Sequence, residues 1–74
     1  MINDSEKNNL KAFGNHLEKL RKSKNLSLRK LALNCDIDHG DIKKYENGDR
    51  NMTFLTMIEY AKGLGITLKE LMDF

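Results

Sequence analysis

Apolar residues recur at intervals of three and four along every segment of this chain, and no stretch alternates apolar with polar as a half-buried strand would. That regularity confines the fold to packed helices. The chain has 74 residues and no proline, so its breaks come from glycine, asparagine and capping side chains. At this length there is one domain, near the lower size limit for folding without staples, burying only about 60% of its unfolded surface.

The spacing predicts a first helix from about Leu10 to Lys24, with Leu10, Phe13, Leu17 and Leu20 on one face and Asn25 as its stop. Residues 1–9 are polar and read as a frayed tail or an extension of that helix. Ser27 is the expected N-cap of a short second helix to Cys35, which buries Leu31, Ala32 and Cys35 and exposes Arg29 and Lys30. Asp36-Ile37-Asp38 is the turn, with Asp36 tolerating left-handed geometry. Asp38 caps a third helix, about His39 to Asn47, anchored by Ile42 and Tyr45 and stopped at Gly48. Asp49 to Met52 reads as a polar loop. Thr53 caps a fourth helix with Phe54, Met57, Ile58, Ala61 and Leu64 inward, ended by Gly65. Thr67-Leu68-Lys69-Glu70 is a capping-box sequence opening a last short helix through Met72. Five helices with very short connections make an all-α, compact bundle.

Charge is unevenly divided. The chain is +2 overall, but residues 1–35 carry 8 basic and 3 acidic side chains, and residues 36–74 carry 5 basic and 8 acidic. One half can therefore face phosphate, or the charges simply keep a small domain soluble. The single cysteine, Cys35, cannot form an internal disulfide and reads as a small buried hydrophobe. His16 and His39 lack companion ligands, so no metal or cofactor is expected. No paired carboxylates, Gly-rich phosphate loop or nucleophile motif is present, and an enzyme is not expected. No apolar run reaches the ~20 residues of a membrane span, and the N-terminus lacks a signal-peptide core. The expectation is a cytoplasmic protein without a membrane partner.

The informative unit is the pair of short helices around Asp36-Ile37-Asp38. A turn of this length holds two helices at a steep angle, and in DNA readers the second lies in the major groove. At about 100° per residue, Ile42 and Tyr45 define the buried direction of helix three. Gly40 and Asn47 lie nearly opposite, Lys43 and Lys44 beside them, His39 at the leading end and Asp41 to the side. This arc is either a solvated face or a reading face, on which lysines contact phosphate or guanine and His39 a base edge.

From Phe13-Gly14 to Leu71 the chain resembles the Cro/C1-type repressors, or XRE family. The resemblance rests on LSLRKLALNCDIDHGDIKKYENGDR, on Leu31-Ala32, Ile42 and Glu46-Asn47-Gly48, and on Ala61-Lys62, Leu64-Gly65-Ile66 and Glu70-Leu71. It implies a lambda-repressor-like fold of five helices and a dimeric regulator binding a short inverted repeat in double-stranded DNA. His39, Gly40, Lys43 and Lys44 would form the base-reading face. Ser27, Asn47 and Arg50 match the family's phosphate contacts, and the exposed Arg29 is placed with them. An ion pair between Arg21 and Glu46 would brace helix one against helix three. Met72 and Phe74 either close the core or form the dimer interface that this family builds from its last helices. No small-molecule effector is evident.

Departures from the family pattern are Leu28 for glutamine, Asp36 for the turn glycine, Gly40 for a polar reader, Met52 for proline and Gly63 for alanine. They leave the fold intact. Leu28 and Gly40 thin the expected DNA contacts, which keeps open a second function: a protein-interaction module retaining the fold with weak or no DNA readout.

Overall fold

The computed structural model describes residues 2–74. Among these it contains five helices and no strand: α1 (Asp4–Ser23), α2 (Leu28–Asn34), α3 (His39–Glu46), α4 (Phe54–Leu64) and α5 (Leu68–Leu71). The polar N-terminal segment extends the first helix back to Asp4; Met1 lies outside the described residues. Asn3 caps α1, its Oδ1 accepting from Glu6 N at 2.9 Å while its own N–H donates to the Glu6 carboxylate. That capping box begins α1 two turns earlier than apolar spacing alone suggests, because its first turns are solvated and need no buried face.

Each remaining helix starts on a hydroxyl or carboxylate that accepts an orphan N–H. Ser27 accepts from Lys30, Asp38 from Gly40, Thr53 from Thr56 and Thr67 from Glu70. Three helices end alike. At Asn25 (φ +57), Gly48 (φ +76) and Gly65 (φ +72) the chain turns left-handed, and paired N–H groups reach back to the last carbonyls. α2 is different: it leaves through Cys35 in extended geometry (φ −134, ψ 158), and Asp36 has no positive φ. The turn thus makes no left-handed demand on Asp36, and the family's usual glycine is not missed.

The core joins Phe13 and Leu17 of α1, Leu31 and Cys35 around α2, Ile42 of α3, Tyr60, Ala61 and Leu64 of α4, and Leu71 of α5. Two elements differ from the sequence reading. α4 buries a face rotated towards Tyr60, which is fully inaccessible, while Phe54 at its first residue is 62% exposed. Met52 is not part of a polar loop: it is 5% exposed and plugs the core ahead of α4. A thioether takes the room that proline would fill, since methionine adapts to irregular gaps.

Glycine sets one close approach. A Cβ on Gly14 would lie 2.6 Å from the Tyr45 carbonyl oxygen and against the Glu46 backbone, so α1 crosses the end of α3 at a distance only glycine allows. Gly63 serves α2 similarly, because a Cβ there would meet Cys35 Cβ at 2.8 Å. The helix-propensity cost of a mid-helix glycine, about 1 kcal/mol, is offset by packing that an alanine would disrupt. No helix of the described residues is long and apolar enough to cross a membrane.

Candidate nucleic-acid interface

α2 and α3 pack on each other, α3 is held from behind by α1, and α2 by α4. Ile42 and Glu46 turn into the protein, and Tyr45, half-buried, meets Tyr60 edge-on at 6.5 Å between ring centroids. The opposite side of α3 is left to solvent. Lys43, Lys44 and the cap residue Asn47 are exposed, and Gly40 between them is partly covered. Neither lysine enters an ion pair among the described residues. Two unpaired cations thus stand on one helical arc.

His39, the first residue of α3, is exposed, with its Nδ1 4.0 Å from Asp38 Oδ1. Ser27 is exposed at the start of α2, and its Oγ accepts from Lys30 N at 3.1 Å. The hydroxyl proton of Ser27 remains free to donate. Arg29 is exposed and borders a shallow depression between α2 and α3, together with Leu33, Ile37 and His39. Arg29 of α2 and His39 of α3 thus line the same depression.

Arg21 and Glu46 meet on the inner side. Arg21 Nε donates to Glu46 Oε2 at 2.7 Å and Nη2 to Oε1 at 3.1 Å, with side-chain exposures of 9% and 1%. Arg21 Nη1 also donates to the Leu26 carbonyl at 2.8 Å, tying the end of α1 to the same knot. The hydrogen bond to Glu46 raises the Arg21 pKa further, so the guanidinium stays charged although burial opposes it. This pair is too deep to touch a ligand and fixes the seat of α3. Beside it, Tyr60 Oη is buried without a hydrogen-bond partner; burial first, and the Glu46 charge second, push its pKa well above the phenolic range.

Arg50 is not a free side chain on its loop. Its Nη1 donates to Asp41 Oδ1 at 2.6 Å, with both side chains 40% exposed. Sequence reading places Asp41 to the side of the arc and gives it no role. Only the folded loop after Gly48 brings the two together, so no local signal announces the pair.

Met72 and Phe74 line a groove with Leu10, Phe13 and Met52. Phe74 folds back on its own chain, its ring centroid 5.3 Å from that of Phe13 and 5.6 Å from that of His16, and yet stays 57% exposed. Met72 is 42% exposed, and Phe54 and Leu55 at the head of α4 are more so.

The model of a family described as a helix-turn-helix domain matches residues 14–73. The chain is 45% identical over 60 residues to control protein C.MunI of a Mycoplasma species, a match spanning 80% of this chain and 81% of that protein. It is 38% identical over 63 residues to control protein C.BamHI of Bacillus amyloliquefaciens, across 84% of this chain and 78% of that one. It belongs to this helix-turn-helix family of DNA-binding transcriptional regulators. The crystal structure of the restriction-modification controller protein C.AhdI from Aeromonas hydrophila superposes with a TM-score of 0.82 at 33% identity, covering 85% of this chain and 96% of that one. The clp gene regulator ClgR from C. glutamicum shares the fold, with a TM-score of 0.77 at 23% identity over 82% of this chain and 79% of that one. The all-helical, lambda-repressor-like architecture expected from the sequence is the one found.

Proposed function

We propose that this regulator controls transcription within a restriction-modification system, binding as a homodimer to a short inverted repeat with α3 in the major groove. The observation that carries this reading is the outward arc of α3, where Lys43 and Lys44 stand exposed and unpaired on the second helix of the motif. Likeness to the control proteins supplies the biological setting. In this reading Lys43, Lys44 and His39 reach base edges across the gap left by Gly40. Ser27, Arg29 and Asn47 hold phosphates and set the register.

Dimerisation follows from size. One such module buries too little surface for tight specific binding, and a second half-site supplies the rest. Exposed apolar side chains at Met72 and Phe74, and at Phe54 and Leu55, offer the surface for a second copy.

Selection of bound sites from a random duplex library tests the whole reading. The expected result is an inverted repeat with half-site centres about 10 bp apart. Replacing both Lys43 and Lys44 with alanine should weaken binding to that repeat. It should also flatten the dependence of log affinity on log salt, by about 0.9 for each phosphate that is no longer neutralised. A salt slope and affinity unmoved by the double substitution would remove α3 as the reader. Sedimentation at micromolar concentration should show a dimer, and a monomer throughout would remove that part alone.

A further inference from the structure

The outward arc of α3 has a gap at its centre, because Gly40 supplies no side chain where a groove helix is best placed to read a base. Besides Lys43, Lys44 and Asn47, a further strong donor reaches this helix from outside it. Asp41 sits on the flank of the arc one turn before Lys44, and its carboxylate holds Arg50 at 2.6 Å. The loop that delivers Arg50 is pinned on both sides. On one side Gly48 turns at φ +76 against the Lys11 backbone, and Asp49 N donates to the Lys44 carbonyl at 3.0 Å. On the other, Met52 is buried in the core. Between those anchors the Arg50 backbone has little freedom, and Asp41 takes up the freedom of its side chain.

Arginine presents five N–H donors in a planar fork. With Nη1 engaged by Asp41, the Nε and Nη2 edge remains, and a guanidinium edge matches the O6 and N7 acceptors that guanine shows in the major groove. An exposed ion pair contributes little to stability in water, so what the pair can do at an interface matters more. The Asp41 carboxylate would also repel a phosphate approaching Arg50, which favours a base over the backbone as its partner.

We propose that Asp41 and Arg50 form one base-reading unit, in which Asp41 is the positioning residue and Arg50 donates two hydrogen bonds to a guanine, in place of the side chain that Gly40 lacks. This assigns Arg50 a base, where family resemblance gives it a phosphate, and it rests on α3 being the groove helix.

The test repeats the random-library selection with the full chain, Arg50→Ala and Asp41→Asn, then titrates salt on the enriched site and on that site changed at one base pair. Circular dichroism melts first establish that both variants fold. We expect Arg50→Ala to lose its preference at one G·C pair in each half-site, a discrimination of roughly 5- to 150-fold. Asp41→Asn should lose the same preference while binding unrelated duplexes more tightly. Uniform weakening of all sequences by Arg50→Ala, with a flatter salt slope and an unchanged recognition pattern, would make Arg50 a phosphate contact and overturn the proposal. An intact preference in Asp41→Asn would overturn the positioning role. A wild-type chain that enriches no sequence would overturn both this proposal and the reading beneath it, whereas an enriched site insensitive to Arg50 overturns this one alone.

Discussion

Helix α3 carries an arginine–carboxylate contact on each side, and the two have nearly the same length. Arg21 meets Glu46 at 2.7 Å on the inner side, and Arg50 meets Asp41 at 2.6 Å on the outer. They differ in access to water: the inner side chains are 9% and 1% exposed and the outer ones 40% each. Once folded, the inner pair cannot be broken without stranding a charge away from solvent. The outer pair is open to water and adds little to stability, so a ligand can reach it without disturbing the fold. Bond length does not separate the buried brace from the accessible pair, but solvation does.

That contrast can be broken most directly by removing one carboxylate on each side. Glu46→Ala should cost about 3–5 kcal/mol in urea unfolding, because Arg21 is left buried and unpaired. Asp41→Ala should cost about 1 kcal/mol or less. Equal losses would end the distinction. The same alanine placed on the two sides sharpens it further. Gly63→Ala drives a methyl onto Cys35 Cβ and should destabilise by about 1–3 kcal/mol, read from the thermal midpoint. Gly40→Ala meets only the Asp38 capping carboxylate, at 3.0 Å, and should shift stability by about 1 kcal/mol or less.

A further probe lies on the inner side. Tyr60→Phe removes a buried hydroxyl beside the Glu46 carboxylate and should change stability by no more than about 1 kcal/mol at neutral pH. It should also change the alkaline limb. The folded phenol titrates far above its ordinary value of 10.0, so the unfolded chain releases this proton first. The contribution is therefore present in full below that value and is lost as pH rises past it. Tyr60→Phe should flatten the decline by up to about 1.4 kcal/mol per pH unit, measured by urea titration at pH 9 to 11.

Those features that depend on neighbours in the chain were legible from it. Ser27, Asp38, Thr53 and Thr67 announce helix starts, and Asn25, Gly48 and Gly65 announce stops, since a cap is satisfied within three residues. The outward arc of α3 followed from Ile42 and Tyr45 by angular spacing alone. What depended on partners distant in sequence was not legible from spacing, and the Arg21–Glu46 pair was expected only through the family resemblance. Phe54 and Tyr60 lie on either side of the Met57–Ala61–Leu64 stripe, and only tertiary packing, which sets Tyr60 edge-on to Tyr45, decides which one is buried. Met52 looked polar by its company and became core because the loop turns inward. The Asp41–Arg50 contact spans nine residues and a left-handed turn, beyond any periodic pattern.

Cys35 gives the molecule a gauge of its own motion. It is the single cysteine, 7% exposed, pressed on Gly63 and hydrogen-bonded through Sγ to the Leu31 carbonyl at 3.1 Å, and burial lifts its pKa. A thiol reagent reaches it fully when α2 moves away from Gly63 of α4. The labelling rate therefore counts those openings directly, without any added probe. If duplex DNA clamps α2 against α3, the same thiol should react more slowly in the complex, reporting at the back of the domain an event at its front.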